Sequence, residues 1–116
     1  MNFEFSDDQL VMKEEVRKLF EKEDSVKRNR NILEGEENFD KDLWNKVVEM
    51  GLTAITIPEE HGGIGLGFLE LCVVAEEMGR AIAPIPYSSS VYLATTAIIN
   101  SSNDDVKKEY LSLIHI

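Results

Sequence analysis

Ile57-Pro58-Glu59-Glu60-His61-Gly62-Gly63-Ile64-Gly65-Leu66-Gly67 is the stretch on which the fold turns. Glycines packed this closely expose backbone N–H groups ahead of a helix, which is how phosphate-cradling loops are built. A nucleotide-binding loop here would make the chain an α/β protein. The details point elsewhere. As a dinucleotide fingerprint, Gly63 and Gly65 fill the first two positions, but Phe68 fills the third and no strand–turn–helix unit surrounds them. A Walker loop needs Gly-Lys-Ser/Thr at its end, and a hydrolase oxyanion loop needs a Gly-x-Ser-x-Gly elbow elsewhere; the chain has neither. We read the segment as a tight turn with positive-φ positions leading into a helix. His61 then serves as a structural cap, since no nucleophile or orienting acid stands beside it to make it a general base.

Working outward, the pattern is helical on both sides. Downstream, a helix is expected from about Phe68 to Ala81, buried through Leu71, Cys72, Val74, Ala75 and Met78. Cys72 reads as a small buried hydrophobe. Glu76 and Glu77 are adjacent and point about 100° apart on a helix, so they do not make a paired-carboxylate site. One is read as solvated and the other as a partner of Arg80. Ala83-Pro84-Ile85-Pro86 interrupts the helix, because proline has no N–H to donate. A fourth helix is expected over Ser88–Ile99, small and apolar nearly all round, which suits a buried or interface position. Asn103-Asp104-Asp105 caps a fifth that starts at Val106.

Upstream, Leu52-Thr53-Ala54-Ile55-Thr56-Ile57 is β-branched and closed by Pro58, and is expected to be extended but not part of a sheet, because no second strong strand exists to pair with it. Asp40 is expected to cap a helix carrying Leu43, Trp44, Val47 and Val48 on one face, with Gly51 as its stop. Ser6-Asp7-Asp8-Gln9 is a capping box opening a first helix from about Asp7 to Glu23, with Leu10, Met12, Val16, Leu19 and Phe20 at helical spacing. Residues 26–38 are polar and hold at most a helical turn or two before a loop at Gly35. The expected class is all-α: a bundle-like domain of about five helices with a short extended segment near 52–57.

Composition narrows the function. With 116 residues there is room for one domain and one modest core. A formal charge of -10 repels nucleic-acid phosphates and anionic membrane surfaces, so neither is an expected partner. The lone Cys72 forms no internal disulfide, and no Cys/His cluster offers a metal site. No basic-then-apolar leader and no apolar run near the ~20 residues of a membrane span is present, so a cytoplasmic or equivalently reducing location is expected. Ser89-Ser90 and Thr95-Thr96 have no base within helical reach. No catalytic or cofactor-binding set emerges.

The ordered segments resemble one family. Phe5-Ser6-Asp7-Asp8-Gln9, Phe39-Asp40 with Leu43-Trp44, Met50-Gly51-Leu52, the 57–67 loop and Glu76-Glu77-Met78-Gly79-Arg80 look like the N-terminal helical domain of the acyl-CoA dehydrogenases. Asp104-Asp105-Val106-Lys107-Lys108-Glu109-Tyr110-Leu111 resembles that family's next helix. The resemblance implies an FAD-dependent parent that oxidises acyl-CoA to 2-enoyl-CoA: flavin N5 takes a hydride from the β-carbon while a glutamate removes the α-proton. It further implies that the flavin site and the glutamate belong to a middle β-domain and a C-terminal helical bundle, that the parent is a homo-oligomer, and that this chain alone is inactive. By the same resemblance Pro86, Ser89, Ser90 and Leu93 face the acyl chain. An acyl-CoA oxidase or flavin monooxygenase on the same scaffold is the enzyme alternative, and a free-standing helical interaction domain is the alternative from another class.

The resemblance covers residues 1–111, as a domain incomplete at its C-terminal end. Leu111-Ser112-Leu113-Ile114-His115-Ile116 closes the chain without cap or polar tail, in a helix expected to have only begun. Leu-Ser-Leu-Ile-His-Ile is also what the reversed end of a common transposase sequencing adapter encodes in frame, and 111–116 is read as a non-native tail on that ground, against the alternative of an ordinary helix continuation. Sequencing the gene across this point is expected to return the adapter's codons; codons that differ from the adapter overturn the reading.

Overall fold

The computed structural model describes residues 3–114 and contains, among them, six α-helices and no strand. These are α1 (Asp7–Lys22), α2 (Ser25–Glu34), α3 (Lys41–Glu49), α4 (Phe68–Arg80), α5 (Thr96–Ile99) and α6 (Asp104–Ile114). Short 3-10 turns occupy Leu52–Ala54 and Glu59–His61, and a π-helical segment, Ser88–Thr95, runs directly into α5. The chain divides into two compact units, each assembled from two stretches of sequence: 1–40 with 69–84, and 41–68 with 85–116. Among the described residues no helix is long and apolar enough to cross a membrane.

In the first unit, α1 opens on the expected capping box: the Gln9 N–H donates to Ser6 Oγ, and the Ser6 N–H donates to Gln9 Oε1. Val16 and Phe20, four residues apart on one face, are buried; each such side chain contributes roughly 1.5–3 kcal/mol of hydrophobic stabilisation. α1 lies along α4 in the same direction, because its contacts advance together on both helices: Gln9 with Glu70, Lys13 with Glu76, Arg17 with Glu77, and Glu21 with Arg80. α2 is a full ten-residue helix, longer than the expected turn or two. Its apolar periodicity is too faint to mark it. It is held instead by the Asp24 cap on the Lys27 N–H and by Arg28, whose guanidinium donates to Glu23 and to both carboxylate oxygens of Asp40.

α4 corrects the expected core. Leu71, Val73, Val74, Glu77 and Met78 are buried, Ala75 is half-buried, and Cys72 is exposed. Packing on α1 selects one stripe of a helix whose apolar residues allow two, and Cys72 falls outside that stripe. The helix ends with Ile82 in the left-handed region, φ 49°. There the Ile82 N–H donates to Gly79 O and the Ala83 N–H to Met78 O, a closing pattern that glycine normally serves.

In the second unit, α3 buries Leu43 and Val47 and ends at Gly51, which turns the chain at φ 82° as expected. Residues 52–57 do not extend. Gly51 leads straight into the 3-10 turn, and Leu52, Thr53, Ala54, Ile55 and Ile57 are all buried. β-branching here reflects burial, which a short apolar run cannot distinguish from extension. Ala54, Ile57 and Leu111 form a core cluster against which Ile98, Ile99 and Ile114 pack. α6 is capped by Asn103 Oδ1, which accepts from the Asp105 and Val106 N–H groups. It continues through Leu111 to Ile114, rather than breaking off, while His115 and Ile116 lie outside the described residues. Tyr87 is buried, donates its hydroxyl to Leu52 O at 2.6 Å and meets Tyr92 edge-on.

Two substitutions are expected to move stability in opposite directions in urea unfolding. A Cβ on Gly63 would fall on the backbone of Ile57, so Gly63→Ala is expected to cost about 3 kcal/mol. Ile82→Gly relieves a left-handed β-branched residue that is more than half exposed and is expected to stabilise by roughly 0.5–1 kcal/mol. Tyr87 supplies a pH test. Burial first, and the neighbouring Tyr92 second, push its phenol well above the ordinary 10.0. The fold thus favours the neutral form, and this stability is full below pH 10.0 and is lost as the pH rises past it. In an alkaline absorbance titration one tyrosine should ionise only as the fold gives way. Tyr87→Phe should remove that delayed phase and cost about 1–2 kcal/mol, because Leu52 O loses its donor.

Candidate functional site

Pro86, Ser89, Ser90 and Leu93 all fall on or just before the rod formed by the π-helical segment and α5. Pro86, lacking an N–H, precedes the rod, and its carbonyl accepts from the Ser90 N–H at 3.2 Å and from Ser89 Oγ at 3.3 Å. Ser90 is half-buried, and its carbonyl accepts from Thr95 Oγ1 at 2.7 Å. Val91 and Thr95 face inward and are fully buried, which fixes the rod's inner side. Ser89, Leu93, Ala94 and Ala97 are exposed, Leu93 by 69%. The helix is therefore apolar all round in composition but buried on one side only. Its exposed side offers the Ser88 and Ser89 hydroxyls, one large aliphatic group and two methyls. That surface is suited to packing against an apolar group and holds no acid, base or nucleophile.

The glycine-rich loop is closed upon itself. The N–H groups of Gly62, Gly63, Ile64, Gly65 and Leu66 donate to the carbonyls of Glu59, Pro58, Ala54, Ile57 and Ile55. Five donors that a phosphate would need already have partners, so the tight-turn reading is the one the geometry carries. The His61 N–H donates to Pro58 O, and its ring lies 3.7 Å from Glu60. Beside Thr56, Leu66, Phe68, Thr96 and Ile99 lies a cavity of about 160 Å³. Among the described residues no group of three or more His, Cys, Asp or Glu side chains is placed to hold a metal.

The first unit holds a buried carboxylate whose pKa is lowered. Arg17 clamps Glu77 with two hydrogen bonds, Nε to Oε2 at 3.1 Å and Nη2 to Oε1 at 2.8 Å. The Glu77 side chain is 1% exposed. The Arg17 hydrogen bonds outweigh the burial that would raise it, and hold the carboxyl below its usual range. Arg80, the partner expected from the sequence, instead lies 3.7 Å from Glu21, and Glu76 takes Lys13. The true partner stands 60 residues upstream, out of reach of helical spacing. Arg17, Phe20, Ser25, Val26, Glu77 and Arg80 help to line a cavity of about 450 Å³. The acyl-facing residues expected above line neither cavity.

Comparison with known proteins places this architecture. A family model described as the acyl-CoA dehydrogenase N-terminal domain matches residues 6–114. The chain is 33% identical to the mitochondrial isovaleryl-CoA dehydrogenase of Arabidopsis thaliana, over 92% of this chain and 27% of that one. It is 33% identical to acyl-CoA dehydrogenase IpdE2 of Mycolicibacterium smegmatis, over 90% of this chain and 33% of that one. It superposes on the ChsE4-ChsE5 complex from Mycobacterium tuberculosis with a TM-score of 0.88 at 25% identity, covering 99% of this chain and 32% of the other. A structure titled as the electron transferring flavoprotein of Acidaminococcus fermentans gives 0.79 at 30% identity, covering 99% and 30%. The chain thus spans about a quarter to a third of these proteins. Helix order, turn chemistry and the matched span agree: the chain belongs to the acyl-CoA dehydrogenase family, as its N-terminal domain.

Proposed function

We propose that this chain is the N-terminal part of a longer FAD-dependent oxidoreductase that converts an acyl-CoA to a 2-enoyl-CoA, and that by itself it is inactive. The observation that carries the reading is the family match over residues 6–114 in a chain that spans only 27% of an isovaleryl-CoA dehydrogenase. The absence of any acid, base or nucleophile on the rod's outer side supports the same division of labour. The glycine-rich loop does not suit a flavin's pyrophosphate, since the N–H groups of Gly62 to Leu66 are already bonded to carbonyls of residues 54–59. On this reading FAD belongs to the parent, and its main binding residues lie outside this chain. The chemistry it supplies there is acceptance of the hydride.

Within that reading, Pro86, Ser89, Ser90 and Leu93 form one wall of the acyl pocket. The exposed Leu93 supplies apolar contact and Ser89 a hydroxyl at the mouth, while Pro86 and Ser90 set the rod's direction through their carbonyls. The same reading takes the parent as a cytoplasmic homo-oligomer, and the exposed, unbridged Cys72 suits a reducing compartment. Flavin titration of the purified 116-residue chain, followed by addition of a panel of acyl-CoA thioesters, tests the proposal. Neither stoichiometric FAD binding nor turnover is expected. Either one overturns the claim that the chemistry lies outside this chain.

A further inference from the structure

The π-helical segment is a second feature that neither the family match nor the acyl-wall reading explains. Wide turns of this kind are uncommon, occur mostly as single turns, and are frequent at functional sites. Here the wide register spans Ser88–Thr95 and then returns to α geometry in Thr96–Ile99. Something must hold eight residues away from the commoner helix.

Two side-chain pairs do so, and both are five residues apart. Tyr87 and Tyr92 meet edge to face, with ring centroids 5.4 Å apart and planes at 86°. Thr95 Oγ1 donates to the Ser90 carbonyl at 2.7 Å. In an α-helix, residues i and i+5 lie about 140° apart around the axis, so neither pair could meet there. A serine or threonine in an α-helix returns its hydroxyl to the carbonyl three or four residues back, and Thr95 reaches five back instead. Thr95 is fully buried, so no water replaces Ser90 as its acceptor. Tyr87 is tied independently to Leu52 O, which anchors the start of the segment while the two pairs set its pitch.

We propose that the Tyr87–Tyr92 and Ser90–Thr95 pairs encode the π register, and that Thr95 is a positioning residue for the rod's outer face. The pitch decides where Leu93 stands relative to Ser89, since each wide turn rotates later residues back with respect to an α course. A change to α pitch would turn Leu93 away from its present direction while leaving the buried anchor at Tyr87 in place. The proposed role in shaping the acyl wall rests on the functional reading above; the register claim does not.

Through-hydrogen-bond N–C′ couplings in the isotope-labelled 116-residue chain identify the acceptor of each amide, and so read the register without substrate. In the wild type the amides of Tyr92 to Thr95 should couple to carbonyls five residues back, while the Ser90 amide, at the start of the segment, couples to Pro86 four back. Thr95→Val, matched in shape but lacking the hydroxyl, should lose these couplings in favour of carbonyls four back, and Thr95→Ser should keep them. Five-back couplings retained in Thr95→Val, or lost in a folded Thr95→Ser, overturn the proposal. Should Thr95→Val fail to fold by circular dichroism, Tyr92→Leu decides by the same measurement: a switch to four back supports the proposal and retention of five back overturns it. Because no acyl-CoA or flavin enters the experiment, its failure is distinct from failure of the acyl-wall reading.

Discussion

Buried backbone must find hydrogen-bond partners, and in this chain a buried stretch outside any regular helix or sheet is the governing constraint. Residues 52–57 pass through the interior of the second unit with no strand beside them. Three of their carbonyls are satisfied by the glycine-rich loop folding back, with Ile64, Gly65 and Leu66 donating to Ala54, Ile57 and Ile55. That return is possible only because Gly63 presents no Cβ to the backbone of Ile57. A further carbonyl of the stretch, Leu52 O, receives the Tyr87 hydroxyl, which moors the rod to the same stretch. The loop's glycines thus serve the protein's own peptide groups, and the rod inherits its place from them.

Local signals were legible, and distant ones were not. The Ser6 capping box, the Gly51 stop and the Asn103 cap were all readable, because each is a short-range hydrogen-bonding or backbone requirement stated within a few residues. Residues 52–57 were misread because β-branched residues are favoured both by extension and by close burial. One of Glu76 and Glu77 was expected to pair with the nearby Arg80, since spacing along one helix says nothing about Lys13 and Arg17 on another. Cys72 was misplaced for the same reason: only the position of α1 decides which of two apolar stripes of α4 is covered. The wide register of 88–95 escaped entirely, because a search at a period of 3.6 treats residues five apart as strangers.

The candidate site was legible only through resemblance. Nothing in the residue types of Pro86, Ser89, Ser90 and Leu93 marks them as a ligand-facing set, and only the exposure of Ser89 and Leu93 opposite the buried Val91 and Thr95 separates an outer from an inner side. The Arg17–Glu77 clamp is similarly a structural device with the appearance of a functional one. A carboxylate this buried is tolerable because two charge-assisted hydrogen bonds replace its water. Its lowered pKa follows from the Arg17 hydrogen bonds that join α1 to α4 and does not mark a poised catalyst.

The interleaving of the two units has a consequence for how the polypeptide reaches its native state. Neither unit is a continuous length of chain, since each draws its two halves from stretches separated by the other's residues. α1 emerges from the ribosome well before α4, and the bonds that join them close loops of 60 to 63 residues. The core residue Leu111 lies near the end of the second unit's later stretch, far in sequence from Ala54 and Ile57. Neither half can be completed in isolation as synthesis proceeds, so the first helix waits with its apolar face uncovered. A chain interrupted before α4 leaves neither unit assembled.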